Sequence, residues 1–191
     1  MRNNKISVFE LTLMGFCIAL NMAGSFIALT LKLPIYMDSI GTILIAALLG
    51  GKYAIITGIS SSLVSGMTFD IYSLYFAPVQ ITTGYFSAMM FNKNLLNGIK
   101  TFIGTLMFSI PTSIVSATIA AYVFGGITSS GSSYIVQILS TFNIPIVVSV
   151  FITQIITDYG DKLFAVLIVL AILKVIPKDI KVKLKHSNIR R

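Results

Sequence analysis

The stretch LTLMGFCIALNMAGSFIALTL, Leu11 to Leu31, carries no charged residue over twenty-one positions. A helix rises about 1.5 Å per residue and needs about twenty apolar residues to cross the hydrocarbon of a bilayer. The stretch therefore predicts a membrane-spanning helix. Gly15, Ala19 and Ala23 recur within it every four residues, on one helix face, and form a stripe of small residues that another helix can approach closely. We expect this stripe to pack against a partner, inside this chain or on another protein.

The composition of the whole chain supports a membrane protein. Of its 191 residues 55% are hydrophobic and 10% are charged, and the mean hydropathy is +0.91. Because soluble domains carry about a quarter charged residues, we predict one integral membrane domain over residues 1–191. The first apolar segment is too long for a cleaved signal peptide. Cys17 and His186 are the only cysteine and histidine, so we expect no disulfide, no metal and no cofactor.

The net charge of +8 is concentrated in a basic tail at about 178–191. Positive residues beside an apolar segment mark the cytoplasmic side, so the tail is predicted to be cytoplasmic rather than to bind nucleic acid. Arg2 and Lys5 place the N-terminus on the same side. Both termini inside require an even number of crossings. We predict six, at about Glu10–Leu31, Ile40–Gly50, Tyr53–Met67, Leu74–Phe91, Thr101–Phe124 and Leu163–Ile176.

The segment from Tyr134 to about Thr153 does not fit this count as a further crossing. We predict that it forms an extra helix on the outer face, broken near Asn143 and Pro145. Counting back about twenty residues from Lys174 then places charged residues in the outer part of the last span. These are Asp158, Asp161 and Lys162, with Gln154 one turn away.

Charged side chains at that depth cost about 2.5–3.5 kcal/mol each unless they are paired or line a wet cavity. They indicate either a solvated helix cap at the interface or a substrate pocket that opens outward. Two outer loops add polar and aromatic groups that suit a flat heterocycle, although the aromatics also fit an interfacial belt. The full set of candidate binding residues is Tyr36, Asp38, Asp70, Tyr72, Tyr75, Gln80, Asn143, Gln154, Asp158 and Asp161.

The chain has six predicted spans, and the first contains the segment Ala19-Leu20-Asn21-Met22-Ala23. In both features it resembles the substrate-binding S components of energy-coupling factor (ECF) vitamin transporters. The segment looks like the family's Ala-x-x-x-Ala motif. The resemblance implies that Gly15, Ala19 and Ala23 dock on a transmembrane coupling subunit associated with two ATPase subunits. It also implies a bacterial plasma-membrane protein that captures a vitamin-like or nucleoside-like molecule from outside. The outward acids favour a neutral or cationic ligand.

No phosphate-binding Gly-rich loop with Lys-Ser/Thr occurs, and the serine cluster Ser60–Ser62 has no histidine within the predicted spans. We therefore expect a transport subunit and not an enzyme. Three alternatives remain at this stage. The chain could be the membrane input domain of a sensor system, a stand-alone permease, or a structural membrane subunit that binds no ligand.

Overall fold

The computed structural model describes residues 6–177, which form eight helices and no strand. The basic tail at 178–191, Arg2 and Lys5, on which the predicted orientation depends, lie outside the described residues. The helices are α1 (Val8–Thr30), α2 (Ile40–Leu48), α3 (Gly51–Thr68), α4 (Tyr72–Tyr75), α5 (Ala77–Asn92), α6 (Lys100–Tyr122), α7 (Ser132–Thr141) and α8 (Ile146–Val175). The all-helical prediction is confirmed for this part of the chain.

Local sequence signals explain several helix ends. Ser7 and Glu10 form a capping box at the start of α1, in which each side chain bonds the other residue's backbone N–H. Gly50 has φ +87° in the two-residue connection between α2 and α3, a conformation that glycine adopts without steric cost. Pro78 lies in the first turn of α5, where its missing N–H breaks no helical hydrogen bond.

The predicted course of the chain after Tyr134 is partly wrong. The break near Asn143 and Pro145 is present, and a short helix, α7, precedes it. However, Ile146–Thr153 does not belong to that outer helix, because α8 runs without interruption from Ile146 to Val175. No proline follows Pro145 within α8, so nothing ends the helix once it has started. At about 1.5 Å per residue its thirty residues extend about 45 Å.

The second predicted span is shorter than expected. α2 contains nine residues, about 14 Å of helix, and eight of them are buried. It packs against α1, α3, α5 and α8, and so occupies the centre of the bundle. An apolar core surrounds it, with Ile43, Ile45, Phe108, Val166 and Val169 at no exposure. Residues 31–39 join α1 to α2 without helical structure.

Two helices, α1 and α6, are long and apolar enough to cross a membrane. α1 packs on the bundle through one face, formed by Glu10, Met14, Cys17, Asn21, Gly24 and Ala28. Gly15, Ala19 and Ala23 lie on the opposite, exposed face, and a Cβ atom at Gly15 would meet nothing within 4 Å. The stripe of small residues is therefore not used for packing within the described part of the chain.

Candidate functional site

The connection 31–39 between α1 and α2 follows the inner face of α1 from the C-terminal end of the helix to its middle. A Cβ atom on Gly24 would overlap the carbonyl oxygen of Met37, and one on Gly41 would overlap that of Cys17. Glycine at these two positions lets the backbones touch. The connection thus enters the helix bundle instead of crossing its surface, and α2 begins beside the middle of α1.

Asp161 of α8 fixes the deepest part of this connection. Its Oδ1 atom accepts hydrogen bonds from the backbone N–H groups of Tyr36, at 3.0 Å, and Met37, at 2.7 Å. Met37 has φ +53°, a left-handed conformation that costs a residue other than glycine about 1–2 kcal/mol. Asp161 has no exposed surface, and its bonds hold the connection in this unusual turn. Its role in the structure is therefore to position the loop.

Lys162 links the same carboxylate to the end of the connection. Its Nζ atom donates to Asp161 Oδ2 at 2.8 Å and to Ser39 Oγ at 3.2 Å, and it lies 3.9 Å from Asp38 Oδ1. Lys162 is 2% exposed. The ammonium is thus enclosed and hydrogen-bonded mainly to Asp161, while Asp38 receives only its longer-range attraction.

The Tyr36 side chain is held by the helices on the other side. Its hydroxyl donates to Gln154 Oε1 at 3.0 Å and lies 3.2 Å from Ser132 Oγ of α7. Asp158, one turn along α8 from Gln154, is 1% exposed, and its Oδ2 atom has no hydrogen-bond partner among the described residues. Buried polar groups are normally paired, so this carboxyl group is an exception that suggests a place for a water molecule or a ligand group.

A second polar network joins four helices beneath the connection. Asn21 of α1 donates to Thr42 Oγ1 at 2.9 Å and to Ser61 Oγ at 3.1 Å, and it accepts from the Gly41 N–H. Thr42 in turn donates to Gln80 Oε1 at 2.9 Å, and the Gln80 amide donates to the carbonyl oxygen of Asp38 at 3.0 Å. The network is buried and fixes the lower end of the site.

Two adjoining cavities lie between these networks and share Ser25, Asp38 and Ser73. The larger has a volume of about 40 Å³ and the smaller about 10 Å³, which is space for a few water-sized groups. We refer to them together as the serine cavity. Its polar lining is Asn21, Ser25, Tyr36, Asp38, Ser61, Ser62, Ser65, Asp70, Ser73, Gln80, Ser129 and Ser130.

The serine cavity is covered by two further connections. Ser129 and Ser130 border it from the connection between α6 and α7, and Lys32 Nζ reaches the Ser129 carbonyl oxygen at 3.4 Å. In the same connection, Phe124 packs against three rings around α4. These are Tyr72, Tyr75 and Phe76, at centroid distances of 4.8, 5.2 and 6.1 Å. The three connections that meet here, 31–39, 69–76 and 123–131, close the cavity at one end of the bundle.

The ten predicted site residues fall into three groups. Tyr36, Asp38, Asp70 and Gln80 line the serine cavity, and Gln154, Asp158 and Asp161 form the adjacent cluster on α8. Tyr72 and Tyr75 pack on Phe124 and do not line the cavity. Asn143 is exposed in the turn between α7 and α8, with φ +60°, and does not line it either.

Several lining residues were not predicted from the sequence. Ser61, Ser62 and Ser65 belong to a serine-rich helix, which indicates helix packing as readily as ligand binding. Asn21 was considered only as part of the small-residue motif. The sequence feature that could have identified Asn21 as a buried residue is its helical spacing from other residues of the buried face of α1, Cys17 four positions before it and Gly24 three positions after it.

The arrangement can orient a polar group. It offers carboxylates, amides and hydroxyls for this, and it contains no group of three metal-binding side chains among residues 6–177. Comparisons of the chain with protein families, with curated proteins and with solved structures find no match. Conclusions about function therefore rest on the geometry described above.

Proposed function

We propose that this chain is the substrate-capture subunit of an ECF-type importer. It would bind a small vitamin-like or nucleoside-like molecule at the extracellular side and deliver it by docking on a coupling module. The observation that carries the proposal is the serine cavity itself. A helix bundle of largely apolar residues holds two carboxylates and a group of hydroxyls beneath three connections at one end. Convergent polar groups of this kind fix the orientation of a ligand, and because pockets that hold a whole ligand measure about 300–1,000 Å³, the three connections must move apart to admit one.

The proposed topology has six crossings. α1, α3, α6 and α8 each form one crossing, and α4 with α5 forms another. The remaining crossing consists of the connection 31–39 followed by α2, because α2 alone is too short. Backbone without helical structure is tolerated at membrane depth only where protein or a cavity surrounds it. The bonds from Asp161 and Gln80 to this connection meet that condition.

The distribution of charge supports this orientation. Lys52, Lys93, Lys100 and Lys174 are exposed at the ends of helices opposite the serine cavity. Asp38 and Asp70 border the cavity at the other end. Lys32 is the one exposed lysine of the described residues at the cavity end, against four at the opposite end. Because lysines beside apolar helices mark the cytoplasmic side, the cavity would face outward.

The exposed stripe of α1 supplies the proposed docking surface. Gly15, Ala19 and Ala23 present little side chain, and apolar residues such as Phe16 and Phe26 are exposed beside them. Such a surface permits close approach by a helix of the coupling subunit. The glycines that serve packing inside the chain, Gly24 and Gly41, lie elsewhere.

A thermal-shift screen of the detergent-purified protein against vitamins, their precursors and nucleosides tests the proposal. A ligand that binds only the folded state, present at a hundred times its Kd, stabilises it by about 2.7 kcal/mol. We expect at least one ligand to raise the unfolding temperature of the wild type, and to do so much less in Asp38→Asn. Val64→Leu, on the exposed face of α3, is the control variant and should respond as the wild type does. A complete absence of ligands would favour the structural-subunit alternative and contradict the proposal.

A further inference from the structure

The serine cavity is rich in hydrogen-bond acceptors and contains no cationic side chain. Asp38 lines both parts of it and Asp70 lines the larger part, whereas none of the described lysines does. Asp70 accepts a hydrogen bond from Ser73 at 3.1 Å. The Oδ1 atom of Asp38 is buried and accepts no hydrogen bond within residues 6–177.

Two hydroxyl groups in the smaller part of the cavity also lack partners. Ser62 is 7% exposed and Ser65 is 4% exposed, and neither hydroxyl makes a hydrogen bond with the described residues. Both line the cavity together with Asp38. Neither oxygen is among the fully buried atoms that lack a partner, so both hydroxyls keep accessible surface and are free to bond a group in the cavity.

Three carboxyl groups near the cavity share one ammonium. Asp38, Asp158 and Asp161 lie in one cluster with a single ammonium, that of Lys162. That ammonium donates to Asp161 at 2.8 Å and to Ser39 at 3.2 Å. It is 3.9 Å from Asp38, beyond hydrogen-bonding distance. The Asp38 side chain is 32% exposed, and a cation placed in the cavity beside it would attract its carboxylate.

We propose that the serine cavity binds a protonated nitrogen group of the ligand, a primary ammonium or an amidinium, with the Asp38 carboxylate as its counter-ion. An ammonium has three N–H donors and no acceptor, which matches a site built from carboxylate and hydroxyl oxygens. The Ser62 and Ser65 hydroxyls accept its remaining hydrogen bonds. Asp38 borders both parts of the cavity, so the nitrogen group lies beside it in the smaller part, which Ser62 and Ser65 line. The larger part, of about 40 Å³, is too small for a whole heterocycle, so the rest of the ligand extends through it past Ser129 and Ser130. This inference rests on the proposed function, because it names the chemical class of the captured molecule.

Matched pairs of probes test it on the full-length protein in detergent. Each pair contains a cation and a neutral analogue of similar shape: pyridoxamine with pyridoxine, 7-aminomethyl-7-deazaguanine with 7-cyano-7-deazaguanine, and benzamidine with benzamide. Kd values are measured by calorimetry alongside the wider nutrient screen. Hydrogen bonds to charged groups contribute about 1.5–3 kcal/mol, so we expect the cation to bind about 10- to 150-fold more tightly than its neutral partner.

Substitutions link that preference to the cavity. Asp38→Asn should remove most of the difference between the two members of a pair. Ser62→Ala and Ser65→Ala, which shorten the side chain by one oxygen and keep the charge, should weaken binding of the cation several-fold. Thr118→Ala, on the exposed face of α6, is the control and should change nothing. The serine variants keep the test decisive if Asp38→Asn does not fold.

The outcomes separate the two proposals. If the screen finds a nutrient whose neutral or anionic form binds as tightly as any cation, and Asp38→Asn leaves its affinity unchanged, the inference is wrong and the proposed function stands. If neither the pairs nor the wider screen yields a ligand, the proposed function fails and the inference fails with it. Tight binding of a cation that is insensitive to Asp38, Ser62 and Ser65 would place the ligand elsewhere and overturn the inference alone.

Discussion

Replacing Lys162 with methionine should destabilise the fold strongly, because its ammonium is buried beside a buried carboxylate. The ammonium is 2% exposed and donates to a carboxylate that has no exposed surface. Methionine fills a similar volume but leaves Asp161 with two backbone N–H donors and no cation. Removing one partner of a buried ion pair costs about 3–5 kcal/mol, because the remaining charge stays desolvated. We expect Lys162→Met to lower the free energy of unfolding by that amount.

The chain provides its own reporter for this measurement. It contains no tryptophan and one cysteine, Cys17, which is fully buried in α1. A fluorogenic thiol dye therefore reports unfolding when Cys17 becomes accessible, and a denaturant series gives the free energy of unfolding. Lys174→Met, at an exposed lysine of the same helix, is the matched control and should change stability by less than about 0.5 kcal/mol.

The double variant Lys162→Met with Asp161→Asn sharpens the test. It removes both charges of the pair, so no desolvated carboxylate remains at Asp161, and we expect it to be more stable than Lys162→Met alone. If the two substitutions simply added, or if Lys162→Met behaved like Lys174→Met, the lysine would not neutralise Asp161 in the folded protein. The account of how α8 holds the connection 31–39 would then be refuted.

Three further substitutions test the packing, the docking surface and the loop. Gly41→Ala should prevent stable folding because its Cβ atom would overlap a backbone carbonyl of α1, whereas Gly15→Ala should be neutral or stabilising by up to about 1 kcal/mol in the same dye assay. Ala19→Leu should abolish uptake by cells that also produce the coupling module but leave ligand affinity unchanged, and Val64→Leu is a control that also adds bulk on an exposed face. If Ala19→Leu reduced ligand affinity as much as uptake, the docking assignment would be contradicted. Tyr36→Phe should lower stability by about 1–3 kcal/mol, because the side-chain oxygen of Gln154 loses its donor, and an unchanged denaturation midpoint would argue against that bond.

Much of the architecture follows from the apolar runs and the turn residues. Most of the helices, the turn at Gly50 and the break before Ile146 were predictable, because apolar length and glycine or proline act locally. The interruption at Phe76 that divides the predicted span Leu74–Phe91 into α4 and α5 was not predicted, and neither was the continuity of α8. Asp158, Asp161 and Lys162 suggested the outer end of a span, but they lie in the middle of α8. The groups in the connection 31–39 that Asp161 and Lys162 contact lie more than a hundred residues earlier in the chain, so the sequence did not reveal them.

The site could be predicted only in part for a similar reason. Asp161 and Lys162 are neighbours in sequence, and adjacent residues on a helix do not normally face each other, so the sequence gives no reason to pair them. The flexible lysine side chain bends back to make the contact at 2.8 Å. Ser62 and Ser65 resemble the many serines that pack between helices, and only the cavity beside them distinguishes their role.

The dependence of the connection 31–39 on α8 has a consequence for how the protein is made. In the proposed topology the ribosome releases α8 after the seven helices before it, and this helix carries Asp158, Asp161 and Lys162 into the bilayer, each at a cost of about 2.5–3.5 kcal/mol when unpaired. Tyr36 and Ser39, which contact Asp161 and Lys162, are synthesised 125 and 123 positions earlier. The connection 31–39 therefore stays unanchored until α8 has been made. Insertion of α8 and closure of this connection become a single step in biogenesis.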